Sequence, residues 1–297
     1  MILTRACQQT LSIRSDEMNK PMIKRYVLIL LAALVLYGLY IAIMIFGGQP
    51  LWVLLLVYVA IIVTLYWLNR HTLWAVRGNY FYVMGHKERA KPILQKAVAA
   101  GTKSPSAYIY LALMAIQEDR DAETAFALLE KSQQLANTVI DERNALTTLA
   151  SCYWLTGDTQ KGIEVLENMR DTHEYTNAGV LTTLGYLYFT QGEFDKAIEI
   201  SRLAMEDDPN HGAARDNIGQ VYYKQGNIEA AKENFRTALS KRENLADSAY
   251  LLGMIYEAEG NTDDAKEYFR RAAICTISIY NSVTAEMVEK KYKQYHS

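Results

Sequence analysis

The sequence predicts an all-α protein: a two-helix transmembrane hairpin, then an α-solenoid of about six helix pairs, then a C-terminal capping helix. Two observations predict it. Residues 26–69 contain no charged side chain. And LGYLYFTQGEFDKA, beginning at Leu184, returns as IGQVYYKQGNIEAA at Ile218 and as LGMIYEAEGNTDDA at Leu252, a fixed interval of 34 residues. Each copy is two short helical patterns joined by a turn. Such a pair cannot bury its apolar faces alone, but stacked copies can, because each covers the next.

The charge-free stretch comes first along the chain. YVLILLAALVLYGLYIAIMIF (26–46) and LWVLLLVYVAIIVTLYWLN (51–69) are each long enough to cross a bilayer as a helix. Gly47, Gly48 and Pro50 supply a tight turn between them, and proline suits the first position of a helix. Tyr26, Trp52, Tyr66 and Trp67 lie near the ends, where aromatic rings favour the membrane interface. Neither span holds Asp, Glu, Lys, Arg or His, so the hairpin reads as an anchor and not as an ion or proton pathway. Lys20, Lys24 and Arg25 precede the first span, and Arg70, Arg77, Lys87, Arg89 and Lys91 follow the second. By the positive-inside rule both termini and the repeat region are expected on the cytoplasmic side of an integral membrane protein.

Residues 1–25 form an N-terminal cytoplasmic segment with a net charge of +3, within which Met18 or Met22 is a candidate start. Residues 70–297 carry 26 basic and 31 acidic groups. That mildly acidic balance argues against nucleic acid as a partner, since phosphate binding wants clustered Lys and Arg. The three cysteines, Cys7, Cys152 and Cys275, fit no disulfide framework or zinc spacing. Their usage suits a reducing compartment, with Cys152 and Cys275 serving as small apolar residues in helices.

Within the best copy of the repeat, Leu181, Leu184 and Tyr188 share one helical face, and Gly185 leaves room for a neighbouring helix. Gly192 ends that helix, Asp195 to Met205 forms the second, and Pro209 closes the unit. Upstream, Leu146, Leu149, Ala150, Tyr153, Gly157 and Gly162 make a weaker copy, and Trp74, Gly78, Phe81, Gly85, Ala90, Leu94 and Ala97 another. Between them AYIYLALMAIQEDRDAETAFALLEKS fits two helices with irregular spacing. The expected units are 71–104, 105–141, 143–177, 178–211, 212–245 and 246–279, with 280–297 as the capping helix. Pro92 falls inside a second helix and is expected to kink it. From Pro50 to Met84 the one helix-weakening residue is Gly78. The second membrane helix is therefore expected to run on as the first repeat helix, on the order of 50 Å long, and to hold the solenoid at a fixed angle to the bilayer.

On these residues the chain resembles the tetratricopeptide repeat family. Its pattern of Leu-Gly, Tyr, Ala, an aromatic and Pro is followed by Leu181, Leu184, Gly185, Tyr188, Ala197, Ser201 and Pro209, with Ser201 in the aromatic place, then by Ile218, Gly219, Tyr222, Ala231 and Phe235, which lacks the proline, then by Leu252, Gly253, Tyr256, Ala265 and Phe269. The resemblance implies a right-handed solenoid whose first helices line a concave groove that binds proteins or peptides. Carried over by position, the groove would hold Thr147, Ser151 and Trp154, then Thr182, Tyr186 and Phe189, then Asp216, Gln220, Tyr223 and Lys224, then Tyr250, Met254 and Glu257. This lining is aromatic and weakly polar, which suits peptide capture. Some family members clamp acidic chaperone tails with Lys, Asn and Arg; here Asn217 and Lys224 match, but the rest of the clamp does not.

No G-x-G-x-x-G, Walker-type loop, H-E-x-x-H or G-x-S-x-G occurs, and His71, His86, His173, His211 and His296 are scattered. The sequence predicts no enzyme, no cofactor and no metal site. The function it points to is a membrane-anchored adaptor that recruits a protein or peptide partner to the cytoplasmic membrane surface. Two alternatives stand beside it: a scaffold that self-associates with its groove empty or filled in cis, and an accessory subunit of a larger membrane enzyme or export complex.

Overall fold

The computed structural model describes residues 51–297 apart from 120, 173–175, 243, 278–279 and 297, together with eight scattered positions between 32 and 44. The first predicted span thus lies mostly outside the described residues; its described positions, among them Tyr37 and Tyr40, are helical. The chain divides into two units, Met1–Asn69 and Arg70–Ser297. Among the described residues one helix segment, Leu55–Val83, is long and apolar enough to cross a membrane, and none of its apolar window is buried. The two-helix hairpin is accordingly not shown; one candidate span is.

Helix α1 (Leu51–Val83) is continuous across the division between the units. At 33 residues it is about 50 Å long. No proline or turn residue other than Gly78 interrupts it, and Gly78 stays helical. The second unit is built from helix pairs in chain order. The C-terminal part of α1 pairs with α2 (Lys87–Ala99). α3 (Pro105–Met114) pairs with α4 (Ala122–Leu135), α5 (Val139–Leu155) with α6 (Thr159–Arg170), and α7 (Ala178–Gln191) with α8 (Phe194–Asp207). α9 (Gly212–Lys224) pairs with α10 (Ile228–Lys241), α11 (Ala246–Ala258) with α12 (Thr262–Ala273), and α13 (Ala285–His296) packs on α12. Each helix touches its partner and the next pair, so the core is a chain of overlapping clusters. Helix α2 runs unbroken through Pro92, which stands on its exposed side. The ring removes the bond to the Glu88 carbonyl, and the helix continues past it.

In five pairs the turn is one device repeated. Gly85, Gly157, Gly192, Gly226 and Gly260 have φ between 75° and 91°, a left-handed conformation that carries no penalty only in glycine. The amide after each glycine donates to the carbonyl of an aromatic residue five positions earlier: His86 to Phe81, Asp158 to Tyr153, Glu193 to Tyr188, Asn227 to Tyr222 and Asn261 to Tyr256, at 2.8–3.0 Å. The second pair has no glycine here. It closes instead with a π turn, Ala115–Asp119, and the Asp121 amide reaches back to the Ala115 carbonyl. That wider turn accounts for the irregular spacing of its sequence.

In the pairs other than the second, the helices meet at a residue with no side chain: Gly78, Gly162, Gly185, Gly219 or Gly253. A Cβ on Gly219 would lie 2.6 Å from the ring of Phe235, and one on Gly253 would lie 2.7 Å from that of Phe269. Both rings are fully buried and have nowhere to retreat. Gly219→Val is therefore expected to lower the unfolding free energy by about 1–3 kcal/mol, read from urea unfolding of the detergent-solubilised chain by circular dichroism. An unchanged midpoint would show that α9 and α10 separate freely.

Candidate partner-binding face

The first helices α5, α7, α9 and α11 carry the predicted groove residues. The structure brings several of them together around one segment of the chain itself, the non-helical residues Tyr280–Val283 just before α13. Tyr280 is its centre. The Tyr280 hydroxyl bonds the Ser151 hydroxyl of α5, 129 residues away. The Tyr280 ring stacks on Trp154 (centroids 5.8 Å, planes 10° apart) and meets Tyr186 of α7 edge-on (5.9 Å, 87°). Trp154 and Tyr186 also meet edge-on, at 5.3 Å. Three aromatic rings from three distant parts of the sequence thus form one cluster, an arrangement worth about 0.5–1.5 kcal/mol per pair beyond burial. Burial raises the Tyr280 phenol above its ordinary range, and the Ser151 hydrogen bond opposes that rise.

The residues after Tyr280 are held by a carboxylate. Asp247 of α11 is almost fully buried. It accepts from the Asn281 side-chain amide (2.8 Å), the Ser282 hydroxyl (2.8 Å) and the Val283 backbone amide (2.9 Å). Its neighbour Ser248 donates to Asp216 of α9, which also accepts from the Gln220 side-chain amide at 2.8 Å. Two buried carboxyls therefore sit on adjacent helices. Burial, and then the charge of Asp247, push the Asp216 carboxyl up to about 7. Burial raises Asp247 too, but its three donors favour the ionised form. Asp216 is the one that takes up the proton. The Tyr186 phenol is raised by burial and by the charges of both acids, which places its hydroxyl end within their field.

The other predicted positions divide. Gln220 is buried, with its Oε1 unpartnered among the described residues. Thr147 bonds the Arg143 carbonyl within its own helix. The Thr182 carbonyl accepts from Asn217 at 2.9 Å, so Asn217, the matched clamp residue, is used inside the fold. Phe189 leans on Tyr186 and Phe194. Tyr223 and Met254 are half-buried against the last core cluster, and Lys224 is exposed. Tyr250 is turned edge-on to Phe269 of α12 (5.6 Å) and is buried in the core of its pair. Glu257 is taken by the final helix: Lys291, Gln294 and Tyr295 all donate to it, and the Lys291 bond holds its carboxyl below the usual range.

Sequence reasoning missed Tyr280, Asn281, Ser282, Asp247 and Ser248 as members of this face. The final helix starts at Ala285, not at residue 280. Asn281 and Ser282, residues that favour turns over helix interiors, were the visible signal.

Comparisons with known proteins follow the same lines. Tetratricopeptide repeat models match residues 176–244 and 217–279. No curated protein matches the chain. Among solved structures, a chain of the APC/C hetero-tetramer Cut9–Hcn1 matches 76% of this chain at 16% identity and a TM-score of 0.56; the match spans 43% of that protein's length. PilW, a type IV pilus biogenesis factor, matches 68% of this chain over 92% of its own length, at 17% identity and a TM-score of 0.53. Pseudomonas aeruginosa pilF matches 76% over 96%, at 17% identity and a TM-score of 0.50. Residues 176–279 are thus tetratricopeptide repeats, and the chain has their solenoid fold, one typical of protein–protein interaction scaffolds and adaptors.

The paired acids give a pH prediction. Asp216 keeps its proton up to about pH 7 in the folded chain, against an ordinary value of 3.8. Between those limits the folded state binds more protons than the unfolded one, so this group's contribution is complete at low pH and is lost as pH rises toward 7. In Asp216→Asn, Ser248 keeps its acceptor, and a rotated Gln220 amide presents its Oε1 to the new Nδ2 donor. The variant is expected to melt above the wild type at pH 8 and to lose that advantage by pH 4. Parallel melting curves at the two pH values would contradict the assignment.

Proposed function

We propose that the chain is a membrane-anchored adaptor: the apolar part of α1, with the apolar stretch before it, fixes the protein in a membrane, and the repeat unit recruits a protein or peptide partner to the cytoplasmic surface. One observation carries the binding half. Side chains from α5, α7 and α11 converge on a single non-helical segment, with rings against its tyrosine and a carboxylate on its donors. A face that holds one non-helical segment of chain has the chemistry to hold another. The anchoring half is supported by the unburied apolar window of Leu55–Val83 and by the basic residues that follow residue 69. Anchoring raises the local concentration of whatever the repeats bind without any new contact. A self-associating scaffold is the second reading, favoured by the fact that part of the inner face is already filled from within the chain.

A photo-crosslinking amino acid at Tyr223 or Met254, in intact cells, tests this. The expected result is a discrete adduct in the membrane fraction that is absent when the probe replaces the exposed Lys266 of α12. Adducts of the chain with itself would favour the scaffold. Equal labelling at Lys266, or none at the inner positions, would remove the inner face as the binding surface.

A further inference from the structure

We propose that Tyr280–Val283 is an internal ligand: it occupies the site of the partner peptide, and that peptide carries the same chemistry, a tyrosine followed by side-chain amide and hydroxyl donors and no acidic residue. This deepens the adaptor function just proposed and rests on it.

A segment that only capped the solenoid would cover its last pair. α13 already does so, burying Val288 against α12 and tying Lys291, Gln294 and Tyr295 to Glu257. The segment before it reaches much further. It runs back to the third pair, where Tyr280 meets Ser151 and Trp154, and it touches the fourth pair at Tyr186. Its backbone is not helical, so its groups are free to pair with the face. Asp247 takes two side-chain donors and one backbone amide from it, so one carboxylate reads three successive residues of the turn. Hydrogen bonds to charged groups are the strong ones, and a buried carboxylate stripped of its donors is costly. Release therefore proceeds by exchange. An incoming peptide must return the donors to Asp247 and a ring to Trp154 and Tyr186. An acidic residue at those positions would face Asp247 and Asp216 and be rejected. Because α12 and α13 tether both ends of the segment, its effective concentration is high, on the order of millimolar, and a free peptide competes poorly until the tether is weakened.

The test uses the full chain in detergent and a fluorescein-labelled peptide of sequence SIYNSVT, residues 278–284, followed by fluorescence anisotropy. Two variants open the site by different routes: Tyr280→Ala removes the ring, and Asn281→Ala/Ser282→Ala removes two donors to Asp247. Both are expected to bind the peptide at least tenfold more tightly than the wild type does. Adding Asp247→Asn to the second variant should abolish the gain, and a peptide with alanine for tyrosine should not bind. Variants that fold, by circular dichroism, yet bind no better than wild type would overturn the proposal. So would the failure of both variants to fold, which would make the segment a fixed part of the core. Concentration-dependent dimers of the wild type that dissociate on Tyr280→Ala would assign the segment to a second copy and overturn it as well. Repeating the crosslinking from Tyr223 in Tyr280→Ala separates the two levels. Equal partner capture in both backgrounds keeps the adaptor function and sinks the internal ligand; capture in neither sinks the adaptor function itself.

Discussion

The structure depends first on how closely the two helices of each pair approach. Where α9 crosses α10 and α11 crosses α12, a glycine backbone lies directly against a buried phenylalanine ring. That contact sets the spacing within the pair, and the recurring left-handed glycine turn sets its angle. With both fixed, the rise from one pair to the next is fixed too, since each pair touches mainly its neighbours. The alignment of side chains along the inner face follows. Trp154, Tyr186 and Asp247 belong to three different pairs, yet they converge on one segment because the pairs repeat in register.

Burying two carboxyls on adjacent helices is expensive, and the fold offsets the expense in two different ways. Asp216 is supported from within the solenoid, by Ser248 and Gln220, and keeps its proton readily. Asp247 is supported from outside the repeats, by Asn281, Ser282 and the Val283 amide. The stability of one acid is thus local, whereas that of the other depends on a segment distant in sequence. A buried charge whose donors arrive on a tethered strand is a place where binding and folding share the same hydrogen bonds.

Much of the fold was legible because it is periodic. The 34-residue interval locates the last three pairs, the glycines locate their turns, and the lack of any breaker after Pro50 predicts that α1 runs on into the repeats. The π turn at Ala115–Asp119 was visible only as irregular spacing, because nothing in the residues says how a glycine-free turn will close. The face itself was legible in half. Positional reasoning found Ser151, Trp154, Tyr186 and Asp216. It placed Tyr250 on the surface of the groove, whereas the ring turns into its own pair against Phe269. And it gave residues 280–284 to a helix. The Ser151–Tyr280 contact spans 129 residues, and no repeat period or local propensity encodes a contact of that range.

The composition of the face also decides what it selects. Its charged member at the centre is Asp247, beside the protonated Asp216; Glu257 is paired by α13, and the exposed Lys224 stands near the end of α9. Repeats that clamp acidic tails need a cluster of cations aimed inward. Here Asn217 is committed to the Thr182 carbonyl, and the Asp247 carboxylate would repel another held in low dielectric. What the face does hold is neutral, aromatic and rich in donors. Affinity for such a sequence comes from ring packing, and discrimination comes from the acids, because a peptide lacking the donors leaves Asp247 buried and unpaired. The buried acid that makes the empty face unfavourable, Asp247, would therefore also give it its specificity.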